Sequence, residues 1–431
     1  MPPLNEEPSP RHAPTLPFRD VPFLVANILT FAYVFSYYVF TQFAGLSRIP
    51  FVLGSCLALL ALVRGLQVGR FRLPRMWYLP LAFVLYAAIS LLWVKDTDHA
   101  LSRMAQIMSA VIGAGSIWLW TYNGLSWRPV VWGAIAGSLV LAGSTVPEVM
   151  SEGIHARVAG IALNSNATGI LLSFPVFFAW CAPEKSPRWV VWLGVGFLFY
   201  AAAFTGSRKV LLCLMAFLAL FTITTTWNRK RTATVILALA ITISTFALMR
   251  DRSGVVETLT SLQIYQRTEK ALRGKDRSYR TRIGMYHQAL EMWKERPVTG
   301  WGVGQFSELS DFASYAHSNY AQLLANLGCI GFVLMYLFYA NLLLRAYRGY
   351  RSNSRAGQAA LVLLLMILAL DTGMVSFIGK GSWLLLLFTE GLCSEAERSA
   401  RSGTAETTAT ALPYPVPATT APTYRWPAET G

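Results

Sequence analysis

The sequence predicts an all-α integral membrane protein of about twelve transmembrane helices. Three observations predict it. Hydrophobic residues make up 54% of the 431 and charged residues only 14%, with a mean hydropathy of +0.43, which is too apolar for an ordinary soluble protein. Apolar runs of roughly 17 to 25 residues recur along the chain, the length that crosses a hydrocarbon core. Lysine and arginine are distributed between the intervening loops in an alternating way that assigns them to sides.

In order, the runs fall near 21–42, 49–64, 76–94, 104–121, 129–147, 163–182, 188–206, 209–227, 233–249, 319–344, 357–374 and 376–393. Prolines and acids precede the first of them in MPPLNEEPSPRHAPTLPFRD, which argues against a cleavable signal peptide, so the first span is expected to be retained. With a cytoplasmic N-terminus, the loops after even-numbered spans hold Arg64, Arg70, Arg72, Arg75, Arg128, Lys185, Arg188, Arg229, Lys230, Arg231, Arg345, Arg348, Arg351 and Arg355. The opposite short loops hold Arg48, Lys95, Arg103, Arg157, Arg208, Lys209 and Lys380, about half as many, as the positive-inside rule requires. The net charge of +15 is thus explained by topology. No basic patch with interleaved aromatics points to nucleic acid.

The organisation that follows is a disordered cytoplasmic tail at 1–18, spans one to nine within 19–249, an external loop at 250–318, the last three spans within 319–396, and a second disordered cytoplasmic tail at 397–431, rich in Thr, Ala and Pro. The five cysteines, Cys56, Cys181, Cys213, Cys329 and Cys393, show neither metal nor disulfide spacing and read as small buried apolar residues.

One long polar interval interrupts the apolar sequence, SYRTRIGMYHQALEMWKERPVTGWGVGQFSELSDFASYAHSNYAQLLANLGCIG from Ser278 to Gly331. Between Arg282 and Glu295, Ile283, Tyr286, Leu290 and Trp293 share one helical stripe, as in an amphipathic helix lying on a membrane or on neighbouring spans. Pro297 ends it, and Gly300, Gly302 and Gly304 predict a flexible turn. These glycines follow no strand, so they are not a dinucleotide fingerprint. His317 precedes Ser318 and Asn319, good N-cap types for the next apolar helix. A histidine just outside a helix N-terminus is held toward its neutral form.

Other polar clusters face the same way under this topology. Arg157, Asn164 and Asn166 open the sixth span, Thr205-Gly206-Ser207-Arg208-Lys209 opens the eighth, and Asp371 lies near the end of the eleventh. Their convergence with Arg282 and His317 on the external side suggests one site. Arg208 and Arg282 suit a diphosphate, which guanidinium forks bind bidentately and stabilise as a leaving group. The plainer readings are a head-group anchor for Arg208 with Lys209, and a solvated loop charge for Arg282. His317 suits a general base taking a proton from an attacking hydroxyl, or simply a helix cap. Asp371 needs a partner inside the membrane, and orienting His317 or binding the acceptor would supply one. Asn164 and Asn166 either satisfy backbone at a broken helix start or touch substrate. His12, His99, His155, His287 and His317 are scattered and there is no HExxH, so no metal and no cofactor is expected, with arginines in place of a cation.

GSRKVLL, RIGMYHQALEMWKERPVTGWGVGQF and AHSNYAQLLANLGCIG resemble the signature stretches of the bacterial O-antigen ligase and polymerase superfamily. The resemblance implies a polyprenol-dependent, GT-C-like glycosyltransferase fold whose large periplasmic loop contains short helices. It implies transfer of a glycan from undecaprenyl diphosphate, on the periplasmic side of the inner membrane, to an acceptor sugar hydroxyl. The family's essential arginine falls on Arg208, its loop arginine on Arg282, with Arg280 close enough to leave that assignment open, and its histidine on His317. Asp371 occupies a plausible place for the late acidic residue. Lys209 stands where the family usually has glycine, Ser165 where proline separates two asparagines, and Ser318 where asparagine is common. A single large external loop looks more like the ligase that joins O-antigen to lipid A-core than like the polymerase. A transporter or flippase of lipid-linked sugar is the alternative from another class. It would place its charges near the midplane with repeats in two halves.

Overall fold

A computed structural model describes residues 21–40, 43, 46–68, 77–152, 157–224 and 277–410. Among them no strand occurs and the elements are helices: α1 (Val21–Phe40), α2 (Ile49–Val68), α3 (Tyr78–Ile89), α4 (Thr97–Tyr122), α5 (Arg128–Glu152), α6 (Ser165–Cys181), α7 (Arg188–Phe204), α8 (Arg208–Thr224), α9 (Arg277–Glu295), α10 (Gln305–Leu309), α11 (Asn319–Arg351), α12 (Arg355–Leu370) and α13 (Lys380–Thr410). Five of these, α1, α2, α4, α5 and α11, are long and apolar enough to cross a membrane, and α3, α6, α7 and α12 are shorter apolar helices. The protein is therefore consistent with an integral membrane protein. The expected span 233–249 and the loop segment 250–276 lie outside the described residues.

Packing follows the apolar runs. α1 lies against α2 and α5, α2 against α4, α6 against α7, and α12 against α8, α11 and α13, while α13 also packs on α4. Trp118, Phe177, Phe178 and Trp383 fill the interior. Large apolar side chains such as Leu24, Leu59, Leu85 and Trp192 face outward, which suits a hydrocarbon solvent and not water.

α11 carries a break that its sequence does not announce. Gly328 has φ 61° and ψ −164°, so the helix is interrupted there. An interrupted helix leaves N–H and C=O groups without intrahelical partners, and in an apolar setting each must be satisfied by protein. The segment after α9 does this. Pro297 and Val298 accept from Cys329 and Ile330 at 2.9 and 3.3 Å, and Trp301 and Gly302 donate to Ala325 and Asn326 at 3.0 and 2.7 Å. The Asn326 side-chain carbonyl accepts from Phe306 N–H at 2.9 Å. The glycines expected to make a flexible turn instead form a packed seam. A Cβ on Gly300, at φ 68°, would lie 2.4 Å from the Asn326 carbonyl oxygen, and one on Gly328 would lie 2.3 Å from that of Val298. Gly300→Ala and Gly328→Ala are each expected to cost more than the ~1–2 kcal/mol of a left-handed residue alone, because the seam must also open. Gly196→Ala, whose new methyl meets nothing within 4 Å, serves as the neutral control in thermal unfolding of the detergent-solubilised protein.

Three further details bear on what the sequence led us to expect. On α9 the stripe that packs inward is Met285, Ala289 and Met292, joined to Phe306, Ala316, Ala321 and Ala325, whereas Ile283 and Tyr286 are exposed. The helix is apolar on two adjoining arcs, and only the tertiary partner selects between them. Asp371, expected near the end of the eleventh span, is the buried C-cap of α12. The tail expected from residue 397 begins later, since α13 continues to Thr410. Its first turns there are rich in Ala, Glu and Arg, good helix formers. They are also held by a bidentate pairing of Arg345 with Glu397 at 2.5 and 3.1 Å.

Candidate active site

At the end of the bundle where α6, α8 and α13 begin lies a cavity of about 530 Å³ lined by Arg103 and Gln106 of α4, Asn164 and Asn166, Lys209, Tyr315 and Lys380 among others. Each polar residue arrives by a local rule. Asn164 is the N-cap of α6, its side chain accepting from Asn166 N–H at 2.9 Å, so it both caps a helix and faces the cavity. Lys209 enters at the first turn of α8, behind the Thr205–Ser207 turn in which Gly206 has φ 59°. Lys209 Cε lies beside Gly373, where a Cβ would stand 3.5 Å from it, an ordinary contact. Tyr315 comes from the loop before α11.

His317 is half-buried two residues from Tyr315, at φ 54°, with the two ring centroids 4.1 Å apart. Its Nδ1 is buried and has no hydrogen-bond partner. Burial first, then the charges of Arg282 and Lys209, lower its pKa to about 4. This lowering favours the neutral imidazole, with desolvation and not the helix dipole as its main cause. Burial also raises the Tyr315 hydroxyl, against the opposing pull of Arg282 and Arg103.

Arg282, Lys209, Tyr315 and His317 therefore lie within electrostatic reach of one another. Arg282 and His317 border the cavity without lining it. Arg208, half-buried at the first position of α8, stands next to Lys209, which does line it. Of the two loop arginines, Arg282 is half-buried toward the site and Arg280 is exposed; Arg157 is exposed as well. Asp371 does not bond the imidazole. Its Oδ2 accepts from Asn319 Nδ2 and from the Tyr336 hydroxyl, each at 3.1 Å, and its carbonyl accepts from Asn319 N–H at 2.8 Å. Asn319 Oδ1 in turn accepts from Ser376 and Phe377 N–H. The buried acid thus fixes the start of α11 and, two residues back, the backbone that carries His317.

Arg103, Gln106, Tyr315 and Lys380 were not singled out by the sequence. A signal existed for two of them, since Arg103 and Lys380 belong to the cations on the sparse, external side of the charge pattern. Among the described residues no Asp or Glu lines the cavity, and no group of three or more His, Cys, Asp or Glu comes together as for a metal. A half-enclosed set of cations without carboxylates is costly unless an anion joins it.

Fold and site define an all-helical protein, consistent with an integral membrane protein, with a cavity lined by Arg103, Lys209 and Lys380 at one end of its bundle. Residues 193–336, about a third of the chain, match the family described as O-antigen ligase, and over that stretch the chain is similar to this family. The matched stretch contains Arg208, Arg282 and His317, while Arg103, Asn164 and Asn166 precede it and Asp371 follows it. No curated protein matches the chain.

Proposed function

We propose that the chain is an inverting, metal-independent glycosyltransferase that moves an O-antigen glycan from undecaprenyl diphosphate to a sugar hydroxyl of lipid A-core, completing lipopolysaccharide. The observation that carries this reading is the carboxylate-free cavity lined by Arg103, Lys209 and Lys380, beside an imidazole held neutral near Arg282 and Lys209. Cations stabilise the diphosphate on which charge develops as it leaves, and the neutral imidazole accepts a proton.

The step balances without a cofactor. The acceptor hydroxyl oxygen forms a bond to the anomeric carbon, the bond from that carbon to the diphosphate oxygen breaks, and its electron pair leaves on the diphosphate toward Arg208, Arg282 and Lys209. The hydroxyl proton passes to His317 and then to water. Asn164 and Asn166, on the cavity wall, are placed for sugar hydroxyls. Arg157 and Arg280, both exposed, are left for the outer rim and for membrane head groups. Topologically, we place about twelve spans of a GT-C-like fold in the bacterial inner membrane, with the ninth at 233–249, the 250–318 loop periplasmic and both tails cytoplasmic, as the charge bias directs.

The matched family covers polymerases as well as ligases, and a growing glycan in place of lipid A-core would make the same site a polymerase. Reconstitution of the purified full chain in liposomes with undecaprenyl-diphosphate-linked glycan tests these readings together. We expect product on lipid A-core, unchanged by EDTA. Product only on a second lipid-linked glycan selects the polymerase, movement of the donor across the bilayer without product selects a transporter, and loss of transfer with EDTA overturns the metal-free step.

A further inference from the structure

We propose that Arg103 is a further ligand of the donor diphosphate and that Glu308 and His99 are the pair that positions it. This rests on the reading above. Arg103 reaches the cavity from α4, across from the elements that carry the arginines named so far. Its Nε donates to His99 Nε2 at 3.1 Å and its Nη1 to Gln106 Oε1 at 3.1 Å. His99 Nδ1 stands 2.9 Å from Glu308 Oε1. Because Nε2 accepts from the guanidinium, the proton of the neutral ring is on Nδ1 and is donated to the carboxylate. Glu308, His99 and Arg103 thus form a directed chain that ends at the cavity wall.

The chain belongs to the loop's own architecture. Glu308 is on α10, and α10 is clamped to the start of α4 by the fully buried Gln305. Gln305 Oε1 accepts from Lys95 and Asp96 N–H at 2.9 and 3.1 Å, and its Nε2 donates to Asp96 carbonyl at 3.0 Å. Gly304, at φ 79°, lies so close that a Cβ would come within 2.8 Å of Arg103 Cγ and 3.2 Å of His99 Cδ2. The third glycine of the turn is therefore the place where the loop seats Arg103. Two N–H groups of the guanidinium hold it in place, and the others are left for the cavity that Arg103 lines. A fork fixed before binding loses little freedom on taking up a diphosphate. His99 and Glu308 act only through Arg103 and are positioning residues.

The test is binding of undecaprenyl diphosphate, without glycan, to the purified full chain, with thermal unfolding as the folding check. Arg103→Gln is expected to weaken binding by about tenfold to a hundredfold, the range for a lost charge-assisted contact, and Arg103→Lys by less. His99→Leu weakens it several-fold, while His99→Gln, whose amide accepts from Arg103 and donates to Glu308, restores it. In the Arg103→Gln background His99→Leu adds no further loss, because the two act as one unit. In turnover, the loss appears in KM for the donor and not in KM for the acceptor. Unchanged binding in both Arg103 variants, or a His99→Leu loss that persists in the Arg103→Gln background, overturns the proposal. A parent protein that does not bind undecaprenyl diphosphate removes the donor reading itself, and this inference with it.

Discussion

His317→Ala is expected to bind the lipid-linked donor as the parent does and to transfer it about 10²–10⁴-fold more slowly, the contribution of a positioned general base. A sugar hydroxyl is a poor nucleophile at neutral pH, and His317 is an imidazole on which burial, Arg282 and Lys209 all favour the neutral form. Its pKa of about 4 ensures the unprotonated form but makes a weak base. The donor corrects this. Two negative charges placed among Arg282 and Lys209 cancel what those cations do to the imidazole and raise its pKa toward the working pH. The group works unprotonated, so activity is complete above its pKa and is lost as pH falls through it. The acid limb of kcat/KM, which reports the free protein, should therefore lie near pH 4, and the acid limb of kcat, which reports the complex, at higher pH. Coincident limbs, or a His317→Ala protein with parental turnover, would remove His317 from the chemistry.

Arg282→Ala and Arg208→Ala are expected to lower transfer by about 10²–10³-fold each, the cost of removing one group that stabilises developing negative charge, without loss of folded protein. Lysine at either position should restore only part, since the planar fork is lost. Arg282 carries a second signature. Its charge is the larger of the two that depress His317, so Arg282→Ala should move the acid limb of kcat/KM upward as well as lower its plateau. Profiles of the purified variants separate this from a loss of fold, which would scale the whole profile without moving its limb. Parental rates in both alanine variants would refute the diphosphate role.

The helices were legible because burial in lipid writes long apolar runs directly into sequence, and α1, α6, α7 and α8 begin and end close to those runs. The break at Gly328 was not legible. A glycine inside an apolar helix is ordinarily tolerated, and what makes this one a break is the 297–302 segment, which satisfies the freed backbone from about thirty residues away. The arc of α9 that packs on the protein was not legible for a related reason. Met285, Ala289 and Met292 are no more periodic than Ile283, Tyr286 and Trp293, and only Phe306, Ala316 and Ala325 decide between them. Loop charge assigns Arg208, Arg282, His317, Asn164 and Asn166 to one side, and the fold brings Asn164, Asn166 and Lys209 onto one cavity. The same pattern places Arg103 on that side, but its place at the cavity was not legible, because Gly304, His99 and Glu308 reach it only through the fold. Asp371 was recognised as a buried acid needing partners, but its partners turned out to be Asn319 and Tyr336, so it holds the backbone before α11 and not the imidazole.

The central claim is a single displacement at the anomeric carbon by a hydroxyl that His317 activates, with a diphosphate leaving toward Arg208 and Arg282. The anomeric configuration of the new linkage, determined by NMR on product made by the reconstituted protein from a donor of defined configuration, tests it most directly. One displacement predicts inversion in every product molecule. Retention would mean two displacements and a glycosyl-enzyme intermediate, and would contradict the account.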